Sequence, residues 1–375
     1  MARRYDSLII GGGIIGCAIA EELARRKQRV ALIERGRIGA EASSAAAGIL
    51  SAQMDVDEPG SFFDLCQAAR RLYPAWIKRM ERLARAPSRA GYVREGVLYV
   101  AYTDEEQQRM ERRARWQRKA GLPVDRWSSR EICRREPNLL PTGRAGFFFP
   151  AEGQVDNTLL MGVLAAACRR AGVAVFEDTE ALRLITRREA VVGLDTSRGR
   201  FEAGAVINSL GSWAGLDGLS LPKPPIAPAR GQILVFDAPT RFFRSAVMAE
   251  PAYGVQRRDG RLLVGSTIEF VGYDRRVTFE GLRGILAGFH RMVRPEALAQ
   301  CAFREAWAGL RPCSADRLPV LGPTGYDGLY IAAGHFRHGI LLAPITAQVI
   351  ADLVTTGQTD PSLNLSPFSL IRFSK

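Results

Sequence analysis

The run Gly11-Gly12-Gly13-Ile14-Ile15-Gly16 constrains the fold of this chain more than any other feature. Gly11, Gly13 and Gly16 spell G-x-G-x-x-G between an apolar run at 5–10 and a helical pattern over 14–27. In that helix Ile15, Ile19 and Leu23 recur at a spacing of four. The segment VALIE at 30–34 then reads as a second strand, completing a βαβ unit of about thirty residues. Gly11 permits the tight turn, Gly13 lets backbone approach a pyrophosphate, and Gly16 lets helix pack on strand. The new helix offers free N–H groups and partial positive charge to an anion. Glu34, closing the second strand, stands where an acid accepts hydrogen bonds from a ribose diol. A glycine-rich turn with a surface glutamate is the simpler alternative. The strand–turn–helix–strand context favours a dinucleotide site.

The chain has 375 residues, enough for two domains or three. With 47% hydrophobic and 24% charged residues it buries a large core, which excludes a disordered protein or a small disulfide scaffold. A net charge of +13 favours anionic partners without choosing among nucleic acid, a phosphate-bearing cofactor and a carboxylate substrate. Six scattered cysteines with no C-x-x-C pair fit reduced thiols in a cytoplasmic protein. Arg3 and Arg4 precede an apolar run, but three glycines and then Glu21, Glu22, Arg25 and Arg26 argue against a secretory leader. No stretch of ~20 uninterrupted apolar residues predicts a membrane span. The expectation is a soluble protein of the cytoplasm, with no membrane partner.

Helices are expected at 62–85, 104–119, 158–171, near 280–293 and at 339–354, and strands at 96–102, 174–176, 205–210 and 329–333. The basic helix 104–119 reads as a solvated face rather than a nucleic-acid surface. Residues 219–230, with four prolines, read as a crossing between domains. From 232 to 279 the pattern is extended, as in consecutive antiparallel strands. The small-residue run GAEASSAAAGIL at 39–50 lets a bulky cofactor lie against backbone; five alanines and an apolar pair do not suit a linker.

GGGIIGCAIAEELARR, IERG and SSAAAGIL together resemble the flavin-binding opening of the D-amino-acid oxidase superfamily. WAGLRP (307–312), AAGHFRHGILLAP (332–344) and VINSLGSWA (206–214) extend the likeness nearly end to end, and are similar to the bacterial glycine oxidases of thiamine biosynthesis. The resemblance implies an α/β fold, α+β overall. It has a Rossmann-type FAD-binding domain (1–86, 145–222 and 308–375) and an inserted substrate domain (87–144 and 223–307) built on an antiparallel sheet. It implies non-covalent FAD, oxidation of glycine to an imine and then glyoxylate and ammonia, and O2 reduced to hydrogen peroxide. Thiazole synthase as a recipient of the imine and a homo-oligomeric state follow from the same likeness. A D-amino-acid or sarcosine oxidase, or a dehydrogenase, is a close alternative. A flavin domain acting on RNA is a remoter one, disfavoured by the lack of a basic strand interleaved with aromatics, so no nucleic-acid partner is expected.

Position by position, the resemblance puts pyrophosphate and ribose contacts at Gly11, Gly13, Ile14, Ile15, Gly16, Glu34 and Arg35. Ala42, Ser43, Ala47, Gly48 and Ile49 would lie along the flavin and Ala181 at the adenine, and Gly211, in the turn after the strand 205–210, joins the cofactor contacts. His335, Phe336, Arg337, His338, Gly339, Ile340 and Leu341 would wrap the pyrimidine edge of the ring. Arg311 and Arg337 match the substrate-facing arginines and Tyr253 the active-site tyrosine. Pro251, Ile268, Gly254 and Gln256 depart from the pattern on the substrate side. A guanidinium suits a carboxylate clamp because it forms two parallel hydrogen bonds; a surface arginine paired with Asp316 or Glu305 is the plain alternative for Arg311. Tyr253 suits a hydrogen-bond donor or lid, or is an ordinary strand aromatic. His335 and His338 make a poor metal pair without a nearby acid or thiol, so no metal is expected. The position of a cysteinyl flavin tether falls at Gly309, which leaves Cys313 a bystander.

Overall fold

A computed structural model describes residues 3–374 apart from Ser88. Met1, Ala2, Ser88 and Lys375, which belong to the expected domain segments, lie outside the described residues.

The opening βαβ unit seeds the first sheet. Strand Arg3–Ile10 pairs in parallel with Val30–Ile33 on one side and Gly199–Asn208 on the other. Ala174–Phe176 and Leu329–Ala333 extend the parallel set outward on the two sides, and Val320–Pro323 closes one edge antiparallel. The apolar runs SLII and VALI are buried on both faces, as parallel strands covered by helices must be. Helix Ile14–Arg25 packs against Asn157–Arg170 and Gly339–Thr356, and the latter also against Ser61–Ala84. Among the described residues Gly339–Thr356 is the one helix long and apolar enough to cross a membrane; most of its length is buried in this packing.

The second sheet runs in the order Ala302–Ser314, Ile226–Asp237, Arg261–Gly265, Tyr253–Gln256, Ala246–Met248, Val97–Ala101, Ala145–Phe149, Asp125–Ser128. Every link is antiparallel except that between Ala246–Met248 and Val97–Ala101. Two expected boundaries do not coincide with its strands. Ala145–Phe149 pairs here rather than in the first sheet, and Ala302–Ser314 runs straight through 307/308. Aromatic AGFFF announces a strand without naming its partner. The proline-rich stretch 219–230 does lead from the first sheet to the second, but from Ile226 it is already strand, with Pro228 opposite Pro312 near one edge, where missing N–H donors cost least.

Helix Asp104–Lys119 matches its expected span and starts with a capping box between Thr103 and Glu106. It is not a wholly solvated face. Met110 and Ala114 are buried in the apolar core, Gln117 bonds to Gln53, and Arg113 pairs with Asp57.

Candidate active site

The carboxyl ends of the parallel strands, at Ile10, Glu34, Ser209 and Ala333, open into a cavity of about 910 Å³ whose other wall is the second sheet. This is where ligands bind in open α/β sheets, and the volume lies at the upper end of ordinary ligand pockets.

At one end Gly11 and Gly16 make the turn and the helix–strand packing that their spacing predicts. Gly11 has φ +105°, and a Cβ on it would lie 2.6 Å from the Ser209 carbonyl oxygen. A Cβ on Gly16 would lie 1.9 Å from the Gly11 carbonyl oxygen. Gly16 therefore packs helix on strand and does not line the cavity, whereas Gly11, Gly13, Ile14 and Ile15 do. Ile14 N–H donates to Ser43 Oγ at 2.9 Å, which ties the helix start to the small-residue run. Glu34 lines the cavity while accepting from the N–H groups of Gly12 (2.7 Å) and Gly36 (2.8 Å). Arg35 lies 4.1 Å over the Trp213 ring and pairs with Glu41. Ala181 and Gly211 also line this end.

Along the middle, Ala42, Ser43, Ala47, Gly48 and Ile49 all face the cavity. Polar side chains hold the run from behind: Asn157 donates to the Ser43 and Ser44 carbonyls at 2.8 Å, and buried Arg257 donates to Ala47 O at 2.7 Å. A Cβ on Gly48 would lie 2.0 Å from the Val155 carbonyl oxygen. Opposite the run, Gly309 and Gly231 pair across two strands, and both line the cavity.

At the far end Arg311 and Tyr253 are neighbours, and burial lowers the affinity of the Arg311 guanidinium for its proton against the opposing effect of Tyr253. Arg311 Nη1 donates to Thr267 O at 3.1 Å and Nη2 to Ser266 Oγ at 2.9 Å. Among the described residues it has no carboxylate partner. Asp316 pairs with Arg372 instead, so the plain surface-pair alternative is not realised. Arg337 reaches the cavity paired with Asp55 at 3.0 Å. His335 also lines it; burial pushes its imidazole down to about 3, and it shares a 3.0 Å hydrogen bond with Thr346. His338 and Leu341 are turned away, His338 against the Phe62 ring and Leu341 into the core. Phe336, Gly339 and Ile340 line the cavity, and Gly339 opens a helix whose N-cap, His338, makes no side-chain cap.

Two helix starts, at Ile14 and Gly339, thus present N–H groups lacking intrahelical acceptors to one cavity. Between them lies a floor of alanine and glycine. These residues fit a flavin dinucleotide: a pyrophosphate at the first helix, a flat ring on the small residues, negative charge at the second helix. No cysteine lines the cavity among the described residues, and Cys313 faces elsewhere. Asp55, Gly231, Thr267, Trp213 and Arg109 are lining residues that sequence reasoning did not single out. Only Trp213 lay within a motif that carried the resemblance.

Residues 6–353 match the family model described as FAD dependent oxidoreductase. The chain is 37% identical to the glycine oxidase of Geobacillus kaustophilus, over 99% of this chain and 98% of that protein. A crystal structure of glycine oxidase from that organism superposes with a TM-score of 0.93 at 35% identity, covering 99% of each chain. The bifunctional protein ThiO/ThiG of Trichormus variabilis is 34% identical over 99% of this chain, which spans 55% of that longer protein. With the match running through both helix starts and both sheets, the chain belongs to the FAD-dependent oxidoreductase family.

Proposed function

We propose that the protein is a glycine oxidase. It converts glycine, O2 and water to glyoxylate, ammonia and hydrogen peroxide, and accepts small amines such as sarcosine or D-alanine. One observation carries this reading. Arg311 faces the cavity without a carboxylate of its own, beside Tyr253 and above the small-residue floor. Its fork takes the amino-acid carboxylate through two charge-assisted hydrogen bonds, which fixes Cα in one place and converts an encounter into an oriented complex. FAD, held by the first helix start and the small-residue floor, would supply hydride acceptance and the relay of electrons to O2. The free N–H groups at Gly339 and Ile340, with Arg337, stabilise negative charge at that wall. Pro251, Ile268 and Tyr253 line the substrate side, where they disfavour bulky side chains.

The fused ThiO/ThiG relative supports delivery of the imine to a thiazole-forming enzyme. Six free cysteines support a reducing, cytoplasmic setting. Exposed Phe270 and Phe279, together with the resemblance, support self-association. The test is anaerobic addition of glycine to the purified yellow protein. The colour bleaches, and air restores it with one peroxide per glyoxylate. Colour unchanged by glycine, sarcosine and D-alanine alike overturns the proposal.

A further inference from the structure

The reading of Arg311 as carboxylate clamp leaves open what aims its fork. We propose that Glu269, gripped by Arg230, is a positioning residue that sets the direction of the Arg311 guanidinium through Thr267; this rests on that reading.

Three successive residues of one strand serve the two faces of the sheet. Arg230 and Gln232 project to one side and Gly231 to the other. On the cavity side, a Cβ on Gly231 would lie 2.0 Å from Arg311 Nη1, so the guanidinium lies directly on that glycine. On the other side, Arg230, only 4% exposed, grips Glu269 with Nε at 3.1 Å and Nη2 at 2.9 Å. Gln232 Nε2 donates to the same carboxylate at 2.8 Å, and the Thr267 hydroxyl donates to it at 2.7 Å. Thr267 joins the two sides. Its hydroxyl binds Glu269, while its carbonyl oxygen receives Arg311 Nη1.

Apolar packing does not hold this segment. Ile268, Phe270 and Val271 are 49%, 61% and 43% exposed. Its fixed points are polar: Thr267, Glu269, Asp274 and Thr278, all bound to Arg230 or Gln232. An ion pair with one partner in solvent contact is weak as a source of net stability, and this one is better explained by the arrangement it enforces. Here that arrangement is the 266–267 backbone and hydroxyl that hold the fork, and a bidentate contact is lost when the fork is misaligned.

The test compares Thr267→Val, Thr267→Ser, Glu269→Gln and Arg311→Ala holoenzymes. FAD content, Tm, kcat and KM for glycine are measured. So is the Kd of acetate, a carboxylate without an amine, from the shift it causes in the visible spectrum. Thr267→Val, which keeps the Arg230–Glu269 pair, and Glu269→Gln raise the glycine KM and acetate Kd on the order of ten- to a hundred-fold with kcat within about twofold. Thr267→Ser, which restores the hydroxyl, behaves as the parent. If Arg311→Ala weakens acetate binding while Thr267→Val and Glu269→Gln do not, the positioning role is wrong and the clamp stands. If Arg311→Ala leaves acetate binding unchanged, both readings fall. Loss of FAD or of Tm in Thr267→Val parallel to the lost acetate binding makes the network merely structural and overturns the proposal.

Discussion

Arg311 and Gly231 compete for one space, and the absence of a side chain at 231 decides the outcome. The strand carries ordinary extended backbone there, so alanine strains nothing except the guanidinium above it. Gly231→Ala is expected to displace Arg311 and to cost about 1–3 kcal/mol of carboxylate binding, roughly 5- to 200-fold in kcat/KM, mostly through KM. Steady-state kinetics on FAD-replete protein check it; parental KM in the alanine variant means the guanidinium does not rest there. Arg311 itself was legible, because an Arg-Pro pair within WAGLRP carries the resemblance. Gly231 was not. Its meaning depends on a side chain 80 positions later, brought opposite only by the pairing of two strands. Asp55, which pairs with Arg337, escaped notice for the same reason.

At the level of elements, local pattern located helices and buried strands well: 104–119, 174–176 and 329–333 have the spans their periodicity predicts. The strand Ala302–Ser314 was invisible, because it is mostly exposed or half-exposed without alternation, and Gly309 and Pro312 within it resemble a turn. Pairing with a distant strand overrides that local preference. The connection carrying Met54 and Asp55 into the cavity shows a similar dependence. Glu152, 1% exposed, accepts from the N–H groups of Gln53 and Met54 and from the Ser51 hydroxyl, and so pins that connection. Burial pushes its carboxyl up to about 7, against those hydrogen bonds and with help from nearby Asp55. The folded protein therefore binds a proton at Glu152 that the unfolded chain has released between about pH 4.5 and 7. Stability contributed at this site is present below that window and falls as pH rises through it. Relative to Glu152→Gln, the parent should lose on the order of 3 kcal/mol across the window. Urea unfolding of both proteins at pH 5 and pH 7.5 measures it, and parallel pH curves would contradict the assignment.

At the scale of the molecule, two sheets enclose one cavity, floored on one side by small residues and lined on the other by Tyr253, Pro251 and Ile268. Gly309, the position to which the resemblance assigns a tethering thiol in other flavoproteins, packs on Ala45, and no described cysteine lines the cavity. Acid precipitation should therefore leave the yellow colour in the supernatant; colour in the pellet would mean a covalent link. The substrate wall sets the range of amines. Pro251 is rigid and Ile268 is β-branched, and neither offers a hydrogen bond, so the wall excludes volume without recognising a polar group. Such a wall rejects bulk strongly and a single methyl weakly, since one methylene is worth only ~1–3 kcal/mol in an apolar pocket. Glycine and sarcosine should thus lie within roughly two orders of magnitude in kcat/KM, with D-alanine close behind. D-phenylalanine would have to set its ring against Tyr253, Pro251 and Ile268, which line the cavity with Arg311, and is expected to react poorly. A peroxide-coupled assay over glycine, sarcosine, D-alanine, D-proline and D-phenylalanine at equal concentration decides the order. Preference for D-phenylalanine would make this a broad D-amino-acid oxidase, and flavin reduction by glycine without peroxide would make O2 the wrong acceptor.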